Sequence, residues 1–235
     1  MDQKKIDRIN ALYHKSKAEG LTEAEKKEQA LLRKEYIASV RSNLRAQLNN
    51  IDVVTKAQIR KELLQKREEL PENLCKELST NTKGQLTTWE ELQNRGYFYA
   101  YYPLGTELSL LPLIQWLLDT GRRVALPKTD GDNMDFYEIQ DLNEVRKGQF
   151  GVMEPIGEQK VCWEDAICLT PGVGFSIDGG RIGHGAGYYD RYFERHPRLL
   201  KVGIAYEFQI VDHIPTEVTD IPLQWIVTPD RTIKT

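Results

Sequence analysis

The sequence predicts an α/β protein, with a mostly parallel sheet flanked by helices on both faces and an α-helical hairpin ahead of it. Three observations carry this. Over residues 1–52 apolar residues recur at steps of three and four, the helical period; from residue 97 short apolar runs alternate with helical stretches. The run "DAICLTPG" (165–172) is almost continuously apolar, as a strand covered on both faces must be. Charge divides in a similar way. Residues 1–60 hold 13 Lys/Arg against 8 Asp/Glu, and the rest of the chain holds 19 against 27, which suggests two modules with different partners. We expect them at 1–52 and 53–235.

In the first module, Ile6, Ile9, Leu12 and Tyr13 form a helical stripe that Gly20 closes. Thr22 with Glu25 three residues on is a capping box for a second helix. That helix carries Leu32, Tyr36, Val40, Leu44 and Leu48 on one stripe. The stripes are expected to face each other in an antiparallel pair. At about fifty residues such a hairpin is marginal alone, so docking or self-association is expected. "NNIDVVT" breaks the pattern, Thr55 caps "KAQIRKELLQKREEL", and Pro71 ends or interrupts it. A further helix is expected around "NLCKELSTNTKGQL".

Downstream, "YFYAYYP" reads as a strand, "ELSLLPLIQWLLDTG" as an apolar helix closed by Gly121, and "RRVALP" and "MDFYEI" as strands. After "DAICLTPG" come the helix "YYDRYFERH", the strand "KVGIAYE" and a last strand "QWIVTP". Strands alternating with helices imply crossover connections and a parallel sheet.

No apolar run approaches the ~20 residues that span a bilayer, so no membrane partner is expected. "MDQKKIDRIN" has no apolar signal core, so a cytoplasmic location is expected. Cys75, Cys162 and Cys168 are odd in number with no CxxC spacing. Cys168, inside "AICLT", reads as a small buried hydrophobe rather than a catalytic thiol. The four histidines are not spaced as a metal cluster.

The chemistry concentrates in "TPGVGFSIDGGRIGHGAGYYDRYF", residues 170–193, which holds seven glycines. The segment follows the most buried strand and precedes a helix. Ligands of open α/β sheets bind beyond the carboxyl ends of strands, and a helix N-terminus there attracts anions. Glycines let the backbone approach a phosphate closely. Arg181 can neutralise phosphate charge, and Asp190 can hold Mg²⁺ beside it. Alternatively the glycines only build tight turns. No Gly-Lys-Ser/Thr follows, so this is not a P-loop, and the GxGxxG spacing of a dinucleotide fingerprint is missing.

"PGVGFSIDGGRIGHGAGYYDRYF" resembles the signature of the 5-formyltetrahydrofolate cyclo-ligases, also called methenyltetrahydrofolate synthetases. "KAQIR", "YYPLGTE", "VALPK", "GQFGVMEP" and "IAYEFQIVDHIPTEVTDIP" resemble further segments of that family in the same order, over residues 54 to 230. The resemblance implies a three-layer fold and ATP-dependent closure of 5-formyltetrahydrofolate to 5,10-methenyltetrahydrofolate, releasing ADP and phosphate. Phosphorylation turns the formyl oxygen into a leaving group, so positioning and charge neutralisation matter more than a protein nucleophile.

The same resemblance implies the site. Lys56 and Arg60 would contact ATP phosphates; by the helix alone they read as a solvated basic face. Arg181, Ile182, Gly183, His184, Gly185, Ala186, Gly187, Tyr188 and Tyr189 would cradle the nucleotide. Asp190 and Asp220 would hold Mg²⁺, although Asp220 alone reads as a loop or cap carboxylate. Glu107 would contact the folate, with Tyr102, Phe150, His184 and Gly185 beside it. Without the family, Glu107 suits the start of a helix, and Tyr102 and Phe150 suit a core. Arg181, Tyr188 and Glu107 are the implied catalytic residues. The sequence departs from the family pattern at Ser176, Thr219, Gln224 and Pro229, which are expected at the rim of the site.

"KIDRINALYHKSKAEGLTEAEKKEQALLRKEYIASVRSNLRAQL" resembles a separate bacterial family of uncharacterised helical hairpins (YnzC-like), which implies a fusion. In an alternative reading the second module is a non-catalytic folate or nucleotide binder, and the basic hairpin docks RNA or a protein. The interleaving of its Lys/Arg with Glu speaks against nucleic acid. The hairpin reads equally as a dimerisation or solubility element, so monomer and dimer both stay open.

Overall fold

The computed structural model describes residues 3–49, 55–148 and 151–235. It divides into two compact units between residues 54 and 55.

The first unit pairs α1 (Gln3–Ala18) with α2 (Glu23–Asn49). The capping box forms as expected. Thr22 N–H donates to Glu25 Oε2 at 2.9 Å, and Glu25 N–H donates to Thr22 Oγ1 at 3.3 Å. Lys5–Glu35, Arg8–Glu28 and Lys15–Glu25 bridge the helices at 2.7, 2.8 and 2.6 Å. Partner numbers fall on α2 as they rise on α1, so the pair is antiparallel. Leu12 is the one buried apolar side chain among the described residues of this unit, while Ile6, Ile9 and Leu32 are half-buried. Tyr13 and Tyr36, expected on the buried stripes, are 45% and 44% exposed. Two helices bury only the seam between them, and both tyrosines sit off it. The expected stripe positions Val40, Leu44 and Leu48, and the break at residues 50–54, lie outside the described side chains.

In the second unit, Thr55 caps α3 (Lys56–Glu68) through a capping box with Gln58. Pro71 stands just before α4 (Glu72–Thr88), and a short α5 (Glu90–Gln93) follows. An eight-stranded sheet forms the centre. Its parallel core is ordered β12 (Trp225–Val227), β10 (Leu200–Ile204), β7 (Ile167–Thr170), β1 (Tyr97–Tyr99) and β2 (Arg123–Asp130). Antiparallel strands finish both edges: β13 (Thr232–Lys234) beyond β12, and β3 (Asn133–Ile139) then β6 (Lys160–Val161) beyond β2. The last strand is therefore β13 rather than "QWIVTP".

Alternation along the strands feeds two cores. Phe98, Val124, Ile167, Leu169 and Val202 pack with Leu86 of α4 and with Leu113, Ile114 and Leu117 of α6 (Leu111–Asp119). Tyr99, Ala125, Cys168 and Ile226 pack with Tyr192 and Phe193 of α7 (Tyr188–Arg195). Both faces are covered, which explains the unbroken apolar character of β7. Burial pushes the Cys168 thiol up to about 12, as suits a packing residue.

α6 begins at Leu111 rather than near Glu107, because Pro112 sits in its first turn and residues 104–107 close a turn of their own. The glycine-rich segment is more than a loop between strand and helix. It contains β8 (Gly174–Ser176) and β9 (Arg181–Ile182), which join β11 (Ile210–Val211) in a small second sheet. Ile59 and Leu63 of α3 pack on it with Val173, Ile182 and Ile214. That contact sets the direction in which α3 presents Lys56 and Arg60. A short hairpin of β4 (Val145–Lys147) and β5 (Met153–Pro155) completes the unit.

Candidate active site

A cavity of about 880 Å³ opens beyond the carboxyl ends of β1 and β7. Four stretches distant in sequence meet there: α3, residues 101–107, residues 181–191 and residues 217–220. Arg181 anchors the polar side. Its side chain is only 6% exposed, and Nη2 donates to Asp190 Oδ2 at 2.9 Å. Its Nε is buried without a hydrogen-bond partner, a donor aimed at nothing the chain supplies. Gly183 makes room for this guanidinium, since a Cβ there would lie 2.9 Å from Arg181 Nη1. Gly187, at φ 68°, then turns the chain into α7, an angle that costs other residues about 1–2 kcal/mol.

α3 turns both predicted cations toward this loop. Arg60 Nε donates to Gly183 O at 2.9 Å. Lys56 Nζ holds a short ion pair with Asp220 and lies 3.4 Å from Glu217. These contacts overturn the reading of a solvated basic face. Burial alone pushes the Asp220 carboxyl up, but Lys56, the Glu217 N–H and the Arg181 charge together hold it below its ordinary value. Burial lowers Lys56 in turn, and its two carboxylate partners raise it overall. Both members of the pair are therefore ionised at neutral pH.

Asp190 and Asp220 are neighbours through the backbone. Asp190 Oδ1 accepts from the N–H of Ile221, the residue after Asp220, at 3.2 Å. Two hard carboxylates beside a glycine loop with an unpartnered arginine N–H fit Mg²⁺ carrying phosphate. Across the cavity, Glu107 is buried. Its Oε2 accepts from Leu104 N–H at 2.9 Å, and its Oε1 lies 3.0 Å from His184 Nε2. Leu104, Pro127, Met134 and Val152 add an apolar wall.

The profile of the 5-formyltetrahydrofolate cyclo-ligase family matches residues 52–229. The chain belongs to this family. It is 29% identical to the 5-formyltetrahydrofolate cyclo-ligase of Mycolicibacterium smegmatis over 188 residues, covering 76% of this chain and 96% of the relative. Its fold is similar to the NMR structure of Aquifex aeolicus 5,10-methenyltetrahydrofolate synthetase, with TM-score 0.69 and 34% identity over 76% of this chain and 92% of that one. A bacterial family of unknown function, DUF896, matches residues 4–60. There the chain is 62% identical to a UPF0291 protein of Clostridium tetani over 53 residues, which is 23% of this chain and 88% of that protein.

Of the cyclo-ligase positions expected from sequence, Lys56, Arg60, Tyr102, Glu107, Asp190, Asp220 and all of residues 181–189 line this one cavity. Phe150 lies outside the described residues. Ile182 lines it while its side chain is buried with Ile59 and Leu63, and the Tyr189 hydroxyl is buried without a partner. Burial raises that phenol well above its ordinary value, so it stays neutral. Three of the four departures lie elsewhere than expected. Thr219 does line the cavity. Gln224 instead accepts from Lys201 N–H at 2.7 Å, Pro229 belongs to a turn closed by Thr228, and Ser176 is buried against Asp178.

Sequence reasoning passed over Arg191 and Glu154. Arg191 Nη1 donates to Ala186 O at 2.8 Å and Nη2 to Asp132 O at 2.7 Å, tying the loop to the β2–β3 turn. Its signal was present in "YYDR". Glu154 is buried, and its Oε1 accepts from the Thr129 N–H and hydroxyl at 3.1 and 2.7 Å. Its pairing with Thr129 joins β5 to β2 and had no local signature.

Proposed function

We propose that the chain closes 5-formyltetrahydrofolate to 5,10-methenyltetrahydrofolate, using ATP with Mg²⁺ and releasing ADP and phosphate. The observation that carries this reading is the buried Arg181, paired with Asp190 and left with an unpartnered N–H in a glycine-lined cavity. Arg181, Lys56 and Arg60 bind the phosphates, with the backbone of residues 183–187 around them. Asp190 and Asp220 would hold Mg²⁺, which would supply positive charge to offset that of the phosphates. In the free enzyme these carboxylates neutralise Arg181 and Lys56, so nucleotide binding exchanges one set of charged partners for another. Glu107, steadied by Leu104 N–H and His184, faces the folate, and the apolar wall with Tyr102 receives the pterin.

The chemistry then requires little from the protein beyond alignment. The formyl oxygen attacks the terminal phosphorus and displaces ADP, the neighbouring folate nitrogen closes on the activated carbon and gives up its proton, and phosphate leaves. Tyr188, whose hydroxyl donates to Gly131 O at 2.9 Å, holds the loop over the nucleotide. We place the module boundary near residues 52–55. The test is to mix the full chain with 5-formyltetrahydrofolate and Mg-ATP and follow methenyl absorbance. An ATP-dependent rise is expected; no rise from folded protein that binds ATP would sink the proposal.

A further inference from the structure

Outside the active-site cavity, the tertiary fold assembles a second group of metal-type ligands. Cys162 Sγ lies 3.6 Å from His196 Nδ1 and 3.6 Å from Glu164 Oε1, and His196 Nδ1 lies 3.4 Å from Glu164 Oε1. The sequence offers no hint of this, since His196 stands 34 residues from Cys162. None of the three lines the active-site cavity.

The three separations form a triangle of defined size. Tetrahedral zinc, with Zn–S about 2.3 Å, Zn–N about 2.0–2.1 Å and Zn–O about 2.0–2.2 Å, sets its ligand atoms about 3.3–3.6 Å apart. All three observed edges fall in that range, so one ion could be held with little movement of side chains. The supports are firm. Trp163, between Cys162 and Glu164, stacks on Tyr99 at 5.4 Å, and the Tyr99 hydroxyl receives its N–H. His196 caps the end of α7, its N–H donating to Tyr192 O at 3.0 Å and its ring lying 4.4 Å from that of Tyr192.

We propose that Cys162, Glu164 and His196 form a zinc-binding site, with solvent as the fourth ligand, that ties the carboxyl end of α7 to the connection between β6 and β7. A thiolate and an imidazole select zinc over magnesium, so this site and the Asp190–Asp220 pair would take different ions. The amino end of the same helix begins at the glycine loop. An ion at His196 would therefore hold the helix that positions Asp190 from its far end.

Cobalt(II) titration of the reduced full chain tests this, because only a thiolate ligand produces sulfur-to-cobalt charge transfer in the near ultraviolet. The expected result is a band saturating at about one equivalent and displaced by zinc. Cys162→Ser should abolish it, Cys75→Ser should leave it, and His196→Ala should weaken cobalt binding at least about tenfold. Zinc should also raise the melting temperature of the wild type and not of His196→Ala, a readout that survives if Cys162→Ser folds poorly. Absence of the band in folded wild-type protein, or its persistence in Cys162→Ser, would overturn the proposal. Binding that shows no sulfur band and disappears in Asp190→Asn would assign the ion to the catalytic carboxylates and overturn it equally.

Discussion

The two units of this chain are held together by different forces. The cyclo-ligase unit buries both faces of its sheet, with Phe98, Ile114, Leu117 and Leu169 fully enclosed on one side and Tyr99, Phe136 and Cys168 on the other. Each such aliphatic or aromatic side chain contributes about 1.5–3 kcal/mol. Among its described residues, the hairpin buries Leu12 alone and bridges its helices with three ion pairs whose members are mostly well exposed. Exposed pairs contribute little and are screened by salt. The cyclo-ligase unit can thus hold a strained glycine loop and buried charges, while the hairpin must be conditional on its surroundings. The hairpin's Lys5, Arg8, Lys15 and Lys26 are all paired with glutamates, which leaves those cations poorly disposed toward nucleic acid.

The largest expected effect lies in the well-packed unit. Asp190→Asn removes the partner of buried Arg181 and should lower turnover at least about 10²-fold, the scale of losing one preorganised charge at a transition state. Steady-state kinetics would measure it; near-wild-type kcat would remove Asp190 from the mechanism. Next, Leu12→Ala should cost about 2–5 kcal/mol, enough to unfold the hairpin, while methenyl formation continues. Hydrogen exchange resolved by peptide would show the unfolding, and steady-state kinetics the turnover. Loss of turnover alongside hairpin unfolding would break the comparison and make the two units one functional whole.

Gly187→Ala should cost about 1–2 kcal/mol from its positive φ. Its Cβ would also lie 2.7 Å from Arg191 Nη1, displacing the donor that holds Ala186 O. Denaturant unfolding should register the loss, and KM for ATP should rise more than that for folate. An equal rise in both would argue that the loop serves the whole site rather than the nucleotide. The smallest effect is acid sensitivity of the hairpin. Lys15 first, then Thr22, hold the Glu25 carboxyl down at about 2, against an ordinary 4.5. Its support is therefore complete above the ordinary value and is lost as pH falls toward about 2. Helical content of the hairpin should decline over that interval, and earlier at high salt. A hairpin that unravels well above pH 4.5 would have to depend on some other group.

Much of the candidate site was legible because its signals are local. "GRIGHGAGYYDRYF" contains Arg181, the glycines, Asp190 and the start of a helix within one stretch, and Thr55 announces the helix that carries Lys56 and Arg60. The small sheet of β8, β9 and β11 was not legible, because two- and three-residue strands show no periodicity. Nor was the start of α6, because the apolar run already begins at Leu108, ahead of the Leu111–Pro112 turn that opens the helix. The tyrosines of the hairpin misled for a related reason: period alone does not say how wide a seam two helices can cover.

The sequence by itself determined the order of the longer elements, the two-sided burial of β7 and the residue types of the glycine-rich loop. All follow from spacing along the chain, where periodicity and capping act over a few residues. Only the tertiary structure decided which charges meet. Lys56 finds Asp220, His184 finds Glu107, and His196 finds Cys162 across long stretches of chain, because strand order and the packing of α3 and α7, rather than sequence separation, set those distances.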